Sequence, residues 1–253
     1  MHVIILLALL GSAFAGSRNV SRFVGSSLTN IETYPYMANM QRQKFVRWTQ
    51  TCGGSLITST AVLSAAHCFY GDQFWQWRVV LGSSFAHRDG TVHTISQIVM
   101  HPQYDDSAIN NDVAVVRLSN PAVFSNTVQT ASIVSPNYVV PDGAIVDGPA
   151  SEQLRHVDIN IINQQLCAHR YALLKAQQGY QNWPDITSGM VCAGILDVGG
   201  KDACSGDSGG PLALSGNIIV GVTSWGFDCA DPFYPGVSAR VSQYSNWIVA
   251  NLI

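Results

Sequence analysis

Short apolar runs, either alternating with polar residues or unbroken, recur along most of the chain. Clear examples are the runs 78–81, 94–100, 113–118, 157–162 and 218–222. Glycine or proline stands between them, at positions 71, 82, 102, 121, 141, 148 and 216. Many short strands separated by turn residues are typical of a β-sandwich or a β-barrel. The pattern therefore predicts an all-β protein.

Helical spacing is confined to two segments, about 164–178 and the tail 242–252. In the tail, apolar residues three or four positions apart fall on one face, and they are Tyr244, Trp247, Ile248 and Leu252. A helix with one apolar face packs that face against the body of the protein. We therefore predict a C-terminal helix that folds back onto the strands.

The first residues have the features of a secretory signal peptide. The apolar run 3–10 is too short to cross a bilayer, and Ala13-Phe14-Ala15 has the small-x-small pattern of a cleavage site. A buried apolar strand is the alternative. We predict a signal peptide over residues 1–15 and a secreted, extracellular product. No other run is long and apolar enough to span a bilayer, so we expect no membrane partner.

Composition narrows the class of protein. The 253 residues are 47% hydrophobic and 11% charged, which is enough to bury a sizeable core in one large domain or two small ones. The formal net charge is -3, without a block of like charge. A nucleic-acid partner is therefore excluded, because it would require a basic surface.

Six cysteines are spread along the chain. In an oxidising compartment an even number predicts disulfides, although the sequence alone leaves their pairing open. Zinc binding is the alternative, but it is disfavoured because the chain contains no Cys-x-x-Cys pair.

A candidate nucleophile lies in the segment 204–212, CSGDSGGPL, where glycines surround Ser208. A serine hydroxyl reacts readily only when a base accepts its proton and a third group orients that base. His67 in LSAAHC and Asp112 in NNDVAVV supply those two groups. Taken singly, each residue has an ordinary interpretation: Ser208 as a loop residue, His67 as a core or surface histidine, and Asp112 as a strand-end cap. Together they predict a catalytic site.

The motifs SAAHC, NNDVAVVRL and CSGDSGGPL, in the order His, Asp, Ser, closely resemble those of the chymotrypsin-fold (S1-type) serine proteases. The resemblance runs from about Phe23 to the C-terminus, and the overall pattern is similar to the trypsin-like enzymes of insect midgut. It implies two packed six-stranded antiparallel β-barrels with a C-terminal α-helix. His67 and Asp112 would belong to the first barrel and Ser208 to the second.

The resemblance also implies a role for each matching residue. Ser208 would attack the scissile carbonyl, His67 would transfer the proton, and Asp112 would fix the imidazole tautomer. The backbone N–H groups of Gly206 and Ser208 would form the oxyanion hole. The implied function is a serine endopeptidase.

Asp202, six residues before the candidate nucleophile, indicates which substrate side chain the enzyme would accept. In trypsin-like members an aspartate at this place pairs with the Arg or Lys side chain on the acyl side of the cut. Ser224, Trp225, Gly226 and Gly236 match the walls of that pocket and leave room for a long side chain. Chymotrypsin-like or elastase-like cleavage is the alternative, and it would require an uncharged residue at position 202.

Activation follows from the same resemblance. Residues 16–22 would be a propeptide and residues 23–253 the protease domain. Cleavage after Arg22 would free the amine of Phe23, which in the family pairs with the acid before the nucleophile, here Asp207. A buried carboxylate needs such a partner because an uncompensated buried charge is costly.

Family disulfides would pair Cys52 with Cys68, Cys167 with Cys192 and Cys204 with Cys229, which uses every cysteine. The expected partners are polypeptide substrates and protein protease inhibitors. We expect a monomer.

Two departures from the family pattern bear on activity. The mature chain would begin Phe23-Val24-Gly25-Ser26 instead of Ile-Val-Gly-Gly, so a larger side chain must be accommodated at the new N-terminus. The Gly-Trp-Gly motif and the loop after it are missing between 143 and 157. A poorly active or non-catalytic homologue with a shortened loop around 147–152 is therefore the alternative function.

The excess of arginine over lysine bears on the pH at which the protein works. Only Lys44, Lys175 and Lys201 are lysines among thirteen basic residues. Arginine stays charged where lysine begins to neutralise, which is compatible with an alkaline gut lumen. The segment 81–94 carries only Asp89, where some vertebrate trypsins bind calcium. We therefore expect no calcium requirement, no other metal and no cofactor.

Overall fold

The computed structural model describes residues 26–149, 153–201 and 207–253. Within these ranges the chain forms two sets of antiparallel strands, two α-helices and short connections. A short strand, β1 (Ser27–Leu28), precedes the first set of strands and pairs with the second.

The first barrel closes through six antiparallel strands. They are β2 (Met37–Lys44), β3 (Arg47–Thr58), β4 (Ala61–Ser64), β5 (Trp77–Leu81), β6 (Thr91–Met100) and β7 (Ala114–Leu118). The order around the barrel is β2-β3-β4-β7-β6-β5, and β5 pairs with β2 to close the ring. The runs predicted at 78–81, 94–100 and 113–118 correspond to β5, β6 and β7.

The second barrel also has six strands, with two short ones added. A two-residue strand, β8 (Ser132–Ile133), comes first in the chain. The barrel strands are β9 (Ile145–Pro149), β10 (Arg155–Ile162), β11 (Met190–Gly194), β12 (Pro211–Leu214), β13 (Ile218–Trp225) and β14 (Gly236–Arg240). β9 pairs with both β10 and β12, which closes the ring. The predicted pair of six-stranded barrels is confirmed.

Burial alternates along the strands, as expected where one face of a strand lines a barrel interior. In β10, Val157, Ile159 and Ile161 are buried, while Asp158 between them is exposed. The polar and apolar alternation of the sequence therefore sets which face of this strand turns inward.

The two barrels share a hydrophobic core. All four residues of β4 are buried. Val62 packs inside the first barrel, whereas Leu63 and Val115 pack in a cluster with second-barrel residues such as Ile159 and Ile219. Burial of both faces of β4 thus fixes one barrel against the other, and His67 and Asp112 lie close to this contact.

The first helix, α1 (Gln164–Lys175), begins at a side-chain cap. Asn163 Oδ1 accepts from the N–H groups of Gln165 and Leu166 at 3.0 and 3.1 Å. Such a cap satisfies backbone donors that have no partner within the helix. The helix ends three residues before the predicted limit at 178, ahead of a turn that contains Gly179 with a φ of 93°.

The C-terminal helix, α2 (Val241–Ala250), packs on the body as predicted. Tyr244 and Ile248 are buried, and Trp247 and Leu252 are partly buried against the shared core. In the described part of the chain, no helix is both long and apolar enough to cross a membrane.

Two disulfides tie connecting segments to strands. Cys52–Cys68 joins β3 to the turn after β4, and Cys167–Cys192 joins α1 to β11. Cys229 is also disulfide-bonded. Cys204, with which the family resemblance pairs it, lies outside the described residues.

Candidate active site

His67 is held by a buried carboxylate. It lies in a short 3-10 turn, Ala66–Cys68, directly after β4. Asp112 Oδ1 accepts from the backbone N–H of His67 at 2.8 Å, and Asp112 Oδ2 lies 2.7 Å from the ring Nδ1. Asp112 is only 2% exposed. The orientation of the imidazole is therefore set by a carboxylate that is shielded from water.

The backbone before Asp112 is shaped to present this carboxylate. Asn111 has a left-handed φ of 54°, a conformation that asparagine tolerates better than most residues. Its amide donates to the carbonyl of Gln103 at 2.8 Å, and Tyr244 Oη donates to its Oδ1 at 3.3 Å. β7, which corresponds to the apolar run 113–118, begins two residues after Asp112.

The charge of Asp112 affects two neighbouring phenols. Burial and then the Asp112 charge raise the pKa of Tyr244 to about 12, while a hydrogen bond to Asn111 acts in the opposite direction. Burial, a hydrogen bond to Asp106 and the Asp112 charge raise the pKa of Tyr104 as well. Both phenols therefore stay protonated around the Asp112 carboxylate.

A third hydrogen bond reaches Asp112 from the second barrel. Ser224 Oγ, near the end of β13, donates to Asp112 Oδ2 at 2.5 Å, and Ser224 is buried. The sequence indicated Ser224 only as part of the pocket wall. The Ser-Trp-Gly motif marked its position, but nothing in the sequence indicated that its hydroxyl points at Asp112.

Ser208 lies in a turn that both barrels hold. Its carbonyl accepts from the N–H of Gly53 in β3 at 2.8 Å. The next residue, Gly209, has a φ of 80°, and its N–H donates to the carbonyl of Thr223 in β13 at 2.8 Å. A Cβ on Gly209 would collide with Ser64 Oγ and with the carbonyl of Gly53. Both the φ angle and the close approach therefore require glycine here.

The first disulfide places Ser208 beside His67. Cys68 Sγ lies 3.8 Å from His67 Nε2 and 3.8 Å from the carbonyl oxygen of Ser208. Within the part of the chain that the structure describes, no direct hydrogen bond joins Ser208 Oγ to the imidazole. The structure thus brings the three predicted catalytic residues together at the contact between the barrels.

Two glycines predicted to line the specificity pocket face each other. A Cβ on Gly226 would lie 3.7 Å from the Cα of Gly236, so the two backbones approach closely. Trp225 packs on the ring of Tyr171, with 5.0 Å between the ring centroids. Small residues at both positions keep the space between these segments free of side chains.

Several predicted site residues fall outside the described part of the chain. They are Arg22, Phe23, Asp202, Cys204 and Gly206. Asp207, the expected partner of the new N-terminus, is described and is buried.

Two groups of described side chains have the types and spacing that could hold a metal ion. One combines His67 with the Cys52–Cys68 disulfide, whose sulfurs are not thiolates and therefore make poor ligands. The other consists of Asp147, His156 and Asp158 on β9 and β10.

In the second group, the carboxyl group of Asp147 has a raised pKa. Asp147 and Asp158 are cross-strand partners, and Tyr34 Oη lies 3.2 Å from His156 Nδ1. Burial raises the pKa of Asp147 from 3.8 to about 7, helped by a hydrogen bond to Asp158 and by its charge, and opposed by a hydrogen bond from Tyr34. Like charges this close do not ionise together at low cost. The sequence did not indicate this pair, because it depends on strand register.

Comparison with known proteins agrees with this geometry. The profile of the Trypsin family matches residues 23–248. "Trypsin, alkaline B" of Manduca sexta is 41% identical over 262 residues, covering 98% of this chain and 99% of that protein. "Trypsin CFT-1" of Choristoneura fumiferana is 42% identical over 253 residues, covering 96% and 95%. "Vitellin-degrading protease" of Bombyx mori is 34% identical over 241 residues, covering 91% and 86%.

Barrels, site and relatives together define a serine endopeptidase of the chymotrypsin fold, and the chain belongs to the trypsin family. Its substrates are polypeptides. The relatives carry the names of trypsins and of a protease, so they lend no support to the alternative of a non-catalytic homologue. The strands on either side of the shortened loop remain paired, with His156 opposite Pro149.

We predict that Asp147→Asn stabilises the protein at alkaline pH. A raised pKa means that the folded state binds the proton more tightly than the unfolded chain. The contribution of Asp147 to stability is therefore fully present below about pH 4 and is lost as the pH rises through about 7. Because the group is partly exposed, we expect a gain of about 1–2 kcal/mol in the free energy of unfolding at about pH 8.

Urea unfolding of both proteins at several pH values measures this difference. The gain should disappear near about pH 4, where Asp147 is protonated. Asp89→Asn, an exposed turn substitution, is the matched control and should change stability little at any pH. A gain of the same size at both pH values would contradict the raised pKa of Asp147.

Proposed function

We propose that the mature enzyme hydrolyses peptide bonds after Arg or Lys through an acyl-enzyme on Ser208. The observation that carries this proposal is the buried carboxylate of Asp112, which accepts from the backbone N–H of His67 and lies 2.7 Å from its Nδ1. This contact favours the tautomer that leaves Nε2 free as a base. The Ser208 turn lies against the disulfide beside that base.

The reaction proceeds in two halves. Ser208 Oγ forms a bond to the scissile carbonyl carbon while its proton passes to His67 Nε2, and Asp112 stabilises the imidazolium. That proton then passes to the leaving amine as the C–N bond breaks, which leaves an ester on Ser208. Water attacks the ester while His67 takes its proton, and the proton returns to Ser208 Oγ as the acid product leaves.

Two further groups complete the proposal. The N–H groups of Gly206 and Ser208 are the donors for the oxyanion, and one such donor typically contributes about 3 kcal/mol of transition-state stabilisation. Asp202 is the carboxylate at the floor of the pocket, where a buried acid selects a cationic side chain. Because Gly226 and Gly236 have no side chains, neither one fills the space that an Arg or Lys side chain would need.

The sequence and the relatives also support a proposal for secretion, activation and the place where the enzyme acts. Residues 1–15 direct secretion, and residues 16–22 form a propeptide that is removed by cleavage after Arg22. The new amine of Phe23 then pairs with the buried Asp207. Relatives named alkaline trypsins favour a digestive role in an alkaline gut lumen. Protein inhibitors and a monomeric state stay predictions.

We predict that Ser208→Ala lowers kcat on an arginyl peptide by about 10^5- to 10^6-fold, because the residue that forms the acyl-enzyme is lost. The matched control is Ser215→Ala in the exposed turn before β13, which should keep the activity of the unmodified enzyme. Initial rates and covalent labelling with an organophosphate measure the effect. Labelling of Ser208→Ala to the same extent as the unmodified enzyme would refute the assignment.

We predict that Asp202→Asn lowers kcat/KM for an arginyl ester by about 10^3-fold or more, because a buried cationic side chain loses its partner. Turnover of a phenylalanyl ester should not fall in parallel. Asp142→Asn removes an exposed carboxylate elsewhere and serves as the control. If the unmodified enzyme preferred the phenylalanyl ester, the chymotrypsin-like alternative would hold instead.

A further inference from the structure

A cavity of about 620 Å³ opens to solvent beside the first barrel. Its walls come from the β2–β3 hairpin, from β5, and from the loop between β5 and β6. The ionisable residues of its lining are Arg47, Arg78, His87, Arg88 and Asp89, and Gln41 lies beside them. None of the three catalytic residues lines this cavity, and the proposed reaction gives it no role.

Three arginines surround the cavity without carboxylate partners. Among the described residues, no ion pair within 4.0 Å includes Arg47, Arg78 or Arg88. Asp89 is the single acid of the lining, so three cations and one anion give a formal charge of +2 with His87 neutral. The whole chain, in contrast, has a net charge of -3. Unpaired guanidinium groups around a concave surface attract anions.

The half-buried Arg78 is fixed in place by other side chains. Its Nε donates to Gln41 Oε1 at 2.7 Å, and its guanidinium lies 4.6 Å from the centroid of the Trp48 ring. Gln41 is itself buried, and its Nε2 donates to the carbonyl of Ala86 at 2.7 Å. The Nη groups of Arg78 make no hydrogen bond to any residue that the structure describes. They are available to a carboxylate in a planar, two-donor geometry.

Arg88 is positioned by the loop that carries it. Its guanidinium lies 3.5 Å from the centroid of the Phe85 ring, and its carbonyl accepts from Ser83 Oγ at 2.7 Å. Arg47 is exposed at the start of β3. The cavity therefore has one fixed cation and two more accessible ones, an arrangement that lowers the entropy lost when a ligand binds.

Size and lining favour a peptide over a simple anion. The volume is in the range that accommodates several side chains. Trp48, Val80 and Val92 lie among the arginines. A segment that carries both carboxylates and apolar side chains therefore matches this surface better than a polymer that is charged along its whole length.

Strand β3 connects the cavity to the catalytic centre. It runs from Arg47 and Thr49 in the cavity wall to Cys52 and Gly53, and the N–H of Gly53 donates to the carbonyl of Ser208. Four residues of a strand span about 13 Å. A polypeptide held in the cleft therefore reaches the cavity by extending only a few residues beyond the cut bond.

We propose that this cavity is a secondary site that binds an acidic segment of the polypeptide substrate. Arg47, Arg78 and Arg88 bind its carboxylates, and Trp48 contacts its apolar side chains. The identification of the occupant as substrate rests on the proposed function, whereas the binding itself needs no catalysis. Polypeptides with Asp or Glu a few residues from the cut are therefore bound more tightly than neutral ones.

Fluorescence anisotropy with a labelled peptide of alternating Glu and Leu tests this site. The mature protein carries Ser208→Ala, which prevents turnover. We expect saturable binding that weakens with added salt and weakens at least about 10-fold in Arg88→Gln. Arg88 makes no side-chain hydrogen bond to a described residue, so its replacement should not disturb folding.

Arg117→Gln is the matched control, because it removes the same charge outside the cavity and should bind the peptide like the parent protein. A peptide with Gln in place of Glu should not bind. Equal loss in Arg88→Gln and Arg117→Gln, absence of saturable binding, or binding of a sulfated oligosaccharide in place of the acidic peptide would each overturn the proposal.

A second measurement separates this proposal from the proposed function. With Ser208 intact, Arg88→Gln should hydrolyse a small arginyl ester at the unmodified rate, because the ester does not reach the cavity. A lower rate in Arg88→Gln would show that this residue acts on the catalytic centre and would overturn the proposal. If no form of the protein hydrolysed the ester, the proposed function would fail while the peptide-binding result stood.

Discussion

The hydrogen bonding of the buried Asp112 carboxylate is the interaction on which the arrangement of the predicted catalytic residues depends. A carboxylate removed from water is costly unless donors surround it. Here the donors come from the backbone and ring of His67 in the first barrel and from Ser224 in the second. The hydrogen bonds to this one carboxylate therefore orient the imidazole and also link the two barrels at the point where they meet.

On the Ser208 side of the site, two glycines allow a close approach between backbone segments. Gly53 and Gly209 let β3 and the Ser208 turn approach until backbone hydrogen bonds form, which side chains at these positions would prevent. The Cys52–Cys68 disulfide lies against both His67 and the Ser208 turn. Ser208 and His67, the proposed nucleophile and base, are thus positioned largely by backbone and covalent contacts.

Much of this architecture could be predicted from the sequence, because apolar periodicity and three short motifs are local signals. The strand runs and the face of the C-terminal helix belong to that class, and local motifs also carry the proposal that His67, Asp112 and Ser208 are catalytic. Features that depend on how a side chain is oriented in the folded protein, or on the register of strand pairing, could not be predicted. The hydroxyl of Ser224 points to Asp112 only in the folded chain, and Asp147 meets Asp158 only through strand pairing. The arginines of the cavity are likewise far apart in sequence, and packing of separate strands brings them together.

The proposed role of His67 as a base requires one particular tautomer, and nitrogen NMR of the histidine-labelled mature protein measures that tautomer directly. At about pH 9, where an unperturbed imidazole is neutral, we expect a proton on Nδ1, held by Asp112, and an unprotonated Nε2. A ring that carried its proton on Nε2 under these conditions would rule out this role, because no base would then be available to Ser208.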